Sequence, residues 1–292
     1  MAPEQEAVAF LGIGTMGHAM ASRALGAGIP TIVWNRDPGA TRDLADLGAE
    51  VAPSSADAAR RATIVVTMVT DADVVLAIAK DQGMLAGLAP GAIWAQMSTI
   101  GVAGIERVQA LVASERPDVI LFDAPVSGSK EPAERGELTI FASGPEIGRS
   151  RLVPLFDALG QRAIWVGAVG AGSRLKLVAN VWLALAAEAV NTSVAFAHLM
   201  ELDTETLATA LGGGPLVSQW QAAKLKRIAE GDFSAQFALA LALKDVDLAL
   251  EAVGRERFRA LASLADEWQE VVDRGLGNSD LTVVARALEE KP

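Results

Sequence analysis

Lys176 and Asn180 stand four residues apart in GAGSRLKLVANVW (Gly170 to Trp182), a spacing that puts both on one face of a helix. A lysine ammonium offers a proton and a fixed positive charge to an oxygen that gains negative charge. That need arises when hydride reaches a carbonyl carbon. Lysine is normally protonated at neutral pH, so the reductive direction requires no large shift and the oxidative direction favours alkaline pH. A lysine and an amide at the start of a long apolar helix suit a ligand-binding cleft. The plainer alternative is a basic side chain snorkelling from a helix end. Upstream, DAPVSGSKEPAERGELTIFASG (Asp123 to Gly144) reads as a strand, a Ser/Gly turn, a short helix and another strand.

A second constellation lies near the start. LGIGTMG sets Gly12, Gly14 and Gly17 as G-x-G-x-x-G, with Ile13, Thr15 and Met16 between them. The run follows a predicted strand and opens a predicted helix, the context in which this motif binds a dinucleotide. Gly12 permits the tight turn, Gly14 lets backbone approach a pyrophosphate, and Gly17 lets helix and strand pack closely. The alternative is a glycine-rich turn with no ligand. An NAD site usually carries an acid about 20 residues on, for the ribose 2′-hydroxyl. Here Trp34-Asn35-Arg36 stands instead. Arg36 can stack on adenine and pair with a 2′-phosphate, so NADP(H) is the expected cofactor. Asp37 follows at once and would oppose a 2′-phosphate unless it caps the next helix.

Composition narrows the classes. The chain has 292 residues, no cysteine, two histidines and a net charge of -11. Disulfides and thiolate chemistry are excluded. His18 and His198 have no metal-ligand spacing around them, so no metal is expected. The acidic balance lacks the basic footprint for nucleic acid or an anionic membrane. The first residues, MAPEQEAVAF, have no basic stretch ahead of the apolar run, which argues against a secretory leader and for a cytoplasmic protein.

These residues need elements to hold them. Ala7 to Gly12, Thr31 to Trp34, Thr63 to Val69, Ala92 to Gln96, Val119 to Asp123, Leu138 to Ala142 and Ala163 to Val166 read as buried strands alternating with helices. Leu85 to Gly91 reads as a turn-rich connection. Alternation of this kind predicts an α/β Rossmann domain with a mostly parallel sheet over residues 1–166. An all-α domain follows over 167–292, built on a long interdomain helix from Arg174 to about Glu201. Further helices are expected at Thr204 to Leu211, Ser218 to Glu230, Leu239 to Gly254, Phe258 to Gly275 and Asp280 to Glu289. Ala287 to Pro292 reads as an exposed tail. The long helix is apolar nearly all round and should be buried on most sides, in part by the second subunit of a homodimer.

Taken together, LGIGTMG, WNR, the Ser127 segment and the Lys176 segment resemble the β-hydroxyacid dehydrogenase family over nearly the whole chain. The run VSGSKEPAERGELTIF is most similar to the glyoxylate and succinic semialdehyde reductases. The resemblance implies an NADP-dependent oxidoreductase acting on a small-molecule substrate. It makes Lys176 the catalytic lysine and Asn180 its neighbour one turn on. It makes Ser127, Gly128 and Ser129 the turn that holds the substrate carboxylate, and Thr99 part of a Ser-Thr pair near the nicotinamide. Met68 and Val69 line the cofactor, and Phe237, Lys244 and Asp245 close the site. Glyoxylate reductases usually carry Lys and His ahead of that lysine, where this chain has Ala240 and Leu241. A more apolar wall fits a bulkier or less polar substrate. Alternatives are a 3-hydroxyacid dehydrogenase of the 3-hydroxyisobutyrate type, an imine reductase, and a non-catalytic NADP-binding scaffold. Imine reductases generally lack the lysine.

Overall fold

The alternation of strand and helix closes into a parallel sheet. The computed structural model describes residues 6–290. Met1 to Gln5, on which the expectation about a leader rests, and the last two residues of the expected tail lie outside the described residues. The chain divides into two units, Met1–Lys176 and Leu177–Pro292.

In the first unit, β1 (Val8–Leu11), β2 (Thr31–Trp34), β3 (Glu50–Val51), β4 (Ile64–Thr67), β5 (Ile93–Gln96) and β6 (Ile120–Asp123) form one sheet. Its order is β3-β2-β1-β4-β5-β6 and the pairings are parallel. Strands such as VAFL and IVVT are buried end to end, as a sheet covered on both faces requires. Successive side chains alternate between two cores. Val8, Phe10, Val66 and Phe122 pack on one face with Met20 and Ala24, while Ala9, Leu11, Val65 and Trp94 pack on the other with Val75 and Ile105.

A smaller sheet joins β7 (Val126–Ser127), β8 (Leu138–Ala142) and β9 (Gly160–Trp165), antiparallel then parallel. Two residues cannot carry an alternating pattern, so β3 and β7 escape sequence reading. β9 begins three residues before the expected Ala163, because the exposed Gln161 and Arg162 interrupt the apolar run. Within the expected connection Leu85 to Gly91, a short helix spans Met84–Gly87.

In the second unit, the long helix Ala171–Leu199 is followed by helices Thr204–Leu211, Gln219–Ala229, Leu239–Val253, Arg259–Val271 and Val283–Glu289. Asp203 and Ser218 cap two of them, the latter through a reciprocal capping box with Gln221. Trp268, Leu264, Leu243 and Val246 pack with Ala184 and Ala187 of the long helix. One expectation is corrected. Ala287 is buried in the last helix rather than part of an exposed tail. Within the single chain, Val178, Trp182, Leu185, Phe196 and Leu199 of the long helix stand exposed.

Candidate active site

The loops that follow β1, β2, β4, β5 and β6 all leave the sheet at its carboxyl edge, where open α/β sheets bind ligands. At the end of β1, Gly12 has φ +99°, and a Cβ there would lie 2.4 Å from the Met68 carbonyl oxygen. A Cβ on Gly17 would lie 1.9 Å from the Gly12 oxygen. Both glycines are therefore demanded by the fold itself. Gly14 differs, because a Cβ there meets nothing within 4 Å. Gly14 is the N-cap of helix Thr15–Gly26, with no side-chain cap and no acid in the first turn. The first amides of a helix have no intrahelical partner and attract an anion. The open space at Gly14 and the uncapped helix start fit a dinucleotide pyrophosphate.

Asn35 sits at the end of β2. Its Oδ1 accepts from the Ile13 amide at 3.0 Å and its Nδ2 donates to the Asp37 carbonyl at 3.0 Å. It ties the glycine loop to the next turn. Asp37 caps the turn Pro38–Thr41, its Oδ1 accepting from the Gly39 amide at 2.9 Å. Arg36, between them, is exposed. An open depression beside the glycine loop is lined by Ile13, Gly14, His18, Arg42, Asp43 and Lys130, among others. His18 Nε2 lies 2.6 Å from Asp43 Oδ2. The cations Arg42 and Lys130 were not singled out from sequence, since neither belongs to the glycine motif.

Met68 and Val69 extend from β4 and are half-buried. Their course is set by a buried polar network. The Val69 amide donates to Ser98 Oγ at 2.9 Å, and Ser98 Oγ donates to the Thr67 carbonyl at 3.2 Å. Gln96 closes a ring with Ser98, accepting from its amide and donating to its carbonyl, both at 2.8 Å. Thr99, half-buried, follows directly. Gln96 and Ser98 escaped sequence reading because a buried strand gives no sign of which polar groups it pairs.

After β6, Ser127 lies in β7 opposite Thr139. Gly128 takes φ +138°, and Ser129 is the N-cap of helix Lys130–Arg135. The Asp123 carboxylate, at the end of β6, receives the Ser173 hydroxyl at 2.7 Å and the Ser173 amide at 2.8 Å. Ser143 Oγ donates to the Asp123 carbonyl at 3.0 Å and accepts from the Gly172 amide at 2.9 Å. The first turn of the long helix is thereby fastened to the sheet edge, and Lys176 lies three residues beyond Ser173. Lys176 is buried. Burial pushes the Asp123 carboxyl up, against the hydrogen bonds from Ser173 and Ser143.

The second unit groups another set. Asn180, buried, donates through Nδ2 to Asp245 Oδ2. Lys244 Nζ stands 3.0 Å from Asp245 Oδ1. Asp245 thus holds two neighbours that sequence reading named beside it. Phe237 is half-buried, and its amide donates to Asp280 Oδ2 at 3.1 Å. Asp280 also receives both the Gln236 amide and the buried Lys224 ammonium. Ala240 donates to the Gly277 carbonyl at 2.9 Å, and Leu241 is exposed. Lys224 and Asp280 lie 56 positions apart, and nothing local marks them as partners.

Comparisons with known proteins follow this division. Residues 7–167 match the NAD binding domain of 6-phosphogluconate dehydrogenase. Residues 170–288 match the NAD-binding family of NADP-dependent 3-hydroxyisobutyrate dehydrogenase. Glyoxylate/succinic semialdehyde reductase 1 of Arabidopsis thaliana is 30% identical over 286 residues, covering 97% of this chain and 98% of that protein. The structure of Mycobacterium tuberculosis 3-hydroxyisobutyrate dehydrogenase with L-serine aligns with a TM-score of 0.85 and 28% identity, covering 98% of this chain and 99% of that one. Psf3 in complex with NADP+ and 2-OPP aligns with a TM-score of 0.87 and 25% identity, covering 96% and 99%.

Proposed function

This chain belongs to the β-hydroxyacid dehydrogenase family of NAD(P)-dependent oxidoreductases acting on hydroxyl and carbonyl groups, and on that premise we propose that it reduces small carbonyl substrates with NADPH. The observation that carries this reading is the fastening of the long helix at Asp123, which fixes the turn bearing Lys176. Aldehyde acids such as succinic semialdehyde or glyoxylate are the substrates that the Arabidopsis relative's name supports.

When bound, NADPH supplies the hydride. Lys176 holds the proton at Nζ and delivers it to the substrate oxygen as negative charge develops there. Asn180, one turn along the same helix and anchored by Asp245, sets the direction of approach. The Ser127 hydroxyl and the backbone of Gly128 and Ser129 receive the substrate carboxylate. Thr99, Met68 and Val69 line the nicotinamide side. Preference for the phosphorylated cofactor rests on exposed Arg36 and on Asp37 being occupied as a cap. The neighbour that carries NADP+ supports it.

A second reading, oxidation of a 3-hydroxy acid, is favoured by the description of the family matched over 170–288 and by the neighbour that holds L-serine. One assay separates the two. NADPH absorbance is followed with succinic semialdehyde and glyoxylate, beside a cyclic imine, a simple aldehyde, and L-serine with NADP+. Rapid NADPH loss with the aldehyde acids and its abolition by Lys176→Ala are expected. Turnover confined to the imine or to the hydroxy acid would replace the proposal.

A further inference from the structure

The chain leaves the parallel ladder just after β5. The Gln96 carbonyl still accepts from the Ala124 amide at 2.8 Å, and the Met97 amide still donates to the Thr67 carbonyl at 3.0 Å. At Ser98, which is buried, the backbone turns to a side chain instead. Its amide donates to Gln96 Oε1 and its carbonyl accepts from Gln96 Nε2, both at 2.8 Å. Buried backbone groups must find partners, and an amide side chain offers a donor and an acceptor at once. A carboxylate would lack the donor, and asparagine would be one methylene short.

The same unit reaches β4. Thr67 Oγ1 accepts from Trp94 Nε1 at 3.0 Å and donates to Gln96 Oε1 at 3.4 Å. Ser98 Oγ bridges the two strand ends, donating to the Thr67 carbonyl at 3.2 Å and accepting from the Val69 amide at 2.9 Å. Thr67, Trp94, Gln96 and Ser98 are each 0% exposed, so bulk water does not compete for these bonds. Just beyond them the chain surfaces, with Met68, Val69 and Thr99 half-buried. Val69 also borders the glycine loop, since a Cβ on Gly12 would come within 2.5 Å of its Cγ1.

We infer that Gln96 is a positioning residue for the nicotinamide half of the cofactor. It joins the ends of β4 and β5 into one rigid lip, and the lip holds Val69 and Thr99 at a fixed distance from the glycine loop. The inference rests on the proposed placement of the nicotinamide beside Met68, Val69 and Thr99. Gln96 acts through Ser98 and touches neither cofactor nor substrate. Without its amide, the Ser98 amide and carbonyl must seek other partners, and Thr99 and Val69 shift with them. The adenine half, placed at the ends of β1 and β2, does not feel that shift. The plainer alternative is a network that only shores up the sheet, and it predicts equal losses along the whole cofactor.

Two ligands separate these readings: NADPH, and 2′-phospho-ADP-ribose, which lacks the nicotinamide. Both are titrated by tryptophan fluorescence beside thermal melts. Gln96→Met keeps the length of the side chain and removes both bonds to Ser98. It should raise the Kd for NADPH about tenfold and leave that for the fragment within about twofold. With an aldehyde acid, kcat should fall about 100-fold while the substrate KM changes little, as expected when the reacting carbon is misplaced by about an ångström. Ser98→Ala removes one hydroxyl, keeps the amide ring, and decides the matter if Gln96→Met fails to fold. It should weaken NADPH about threefold, again without effect on the fragment. Equal losses for the two ligands, or no loss for either, would overturn the inference. A wild type that turns over no carbonyl while the contrast between ligands holds would remove the proposed reaction and leave Gln96 in this role.

Discussion

Both carboxylate oxygens of Asp123 are committed to Ser173, Oδ1 to its hydroxyl and Oδ2 to its backbone amide. The pair joins the last residue of β6 to the first turn of the long helix, three positions before Lys176. On the proposed mechanism, Asp123 would act as a positioning residue for Lys176. Asp123→Ala should lower kcat about 100-fold, the scale expected when a reacting group is misplaced by an ångström. NADPH affinity, which the proposal assigns to the glycine loop, should stay within about threefold. Asp123→Asn preserves shape and one acceptor and should recover part of the loss. Steady-state kinetics with NADPH titration by tryptophan fluorescence checks this. A fall in cofactor affinity that matched the fall in kcat would make the residue a general prop of the fold.

The three glycines of the first loop separate into two kinds. Gly17→Ala forces a methyl against the Gly12 carbonyl, and Gly12→Ala adds both a clash with Met68 and the strain of φ +99°. Each should destabilise the protein by several kcal/mol, since strained backbone alone costs about 1–3 kcal/mol. Gly14→Ala meets no protein atom within 4 Å, so the melting temperature should hardly change. NADPH affinity should nevertheless fall at least tenfold, because the methyl takes the space that a pyrophosphate would use. Thermal melts paired with cofactor titrations test the contrast. A Gly14→Ala protein with unaltered affinity would place the dinucleotide elsewhere.

The sequence marked these glycines because few residues can do what they do, and the strand-loop-helix context is local. It marked Asn35 too, but not the work the side chain performs. The bond from the Ile13 amide spans 22 positions, and residue order carries no trace of it. The long helix was legible in its extent, within three residues at either end. Which of its faces the neighbouring helices of the same chain cover was not, since an apolar composition all round does not distinguish them. The Lys224–Asp280 pair, 56 positions apart, was hidden as well. Contacts between distant positions arise from the topology, and no window of sequence holds both partners.

Arg36 and Asp37 lie side by side with opposite charge, which clouds cofactor preference on sequence alone. Asp37 is occupied by the Gly39 amide as a cap, and Arg36 is exposed. Arg36→Ala should therefore raise the Kd for NADPH about 10- to 100-fold, the value of one or two charge-assisted hydrogen bonds to a phosphate. The Kd for NADH should change less than about threefold. Asp37→Asn should leave NADPH binding nearly unchanged. Titration of both cofactors against each variant gives the answer. Equal losses for the two cofactors would show that Arg36 does not read the 2′-phosphate.

Lys224 and Asp280 form a buried pair in the second unit, with Nζ 2.9 Å from both carboxylate oxygens. Asp280 also accepts from the Gln236 and Phe237 amides and from the Thr282 hydroxyl. Burial pushes the Asp280 carboxyl up. The Lys224 ammonium, the Phe237 amide and the Thr282 hydroxyl outweigh it and hold the group below the usual carboxylate range. A depressed acid contributes stability that is present above its unfolded value, near 3.9, and is lost as pH falls through its folded value. Asp280→Asn removes that contribution and leaves a buried ammonium without its counter-charge, at a cost of about 3–5 kcal/mol near neutral pH. The gap between wild type and variant should be constant from about pH 6 to 8 and should narrow as the pH drops below about 4. Urea denaturation across that range measures it. A gap that did not narrow at low pH would mean that shape and amide bonding, rather than the carboxylate's charge, give Asp280 its value.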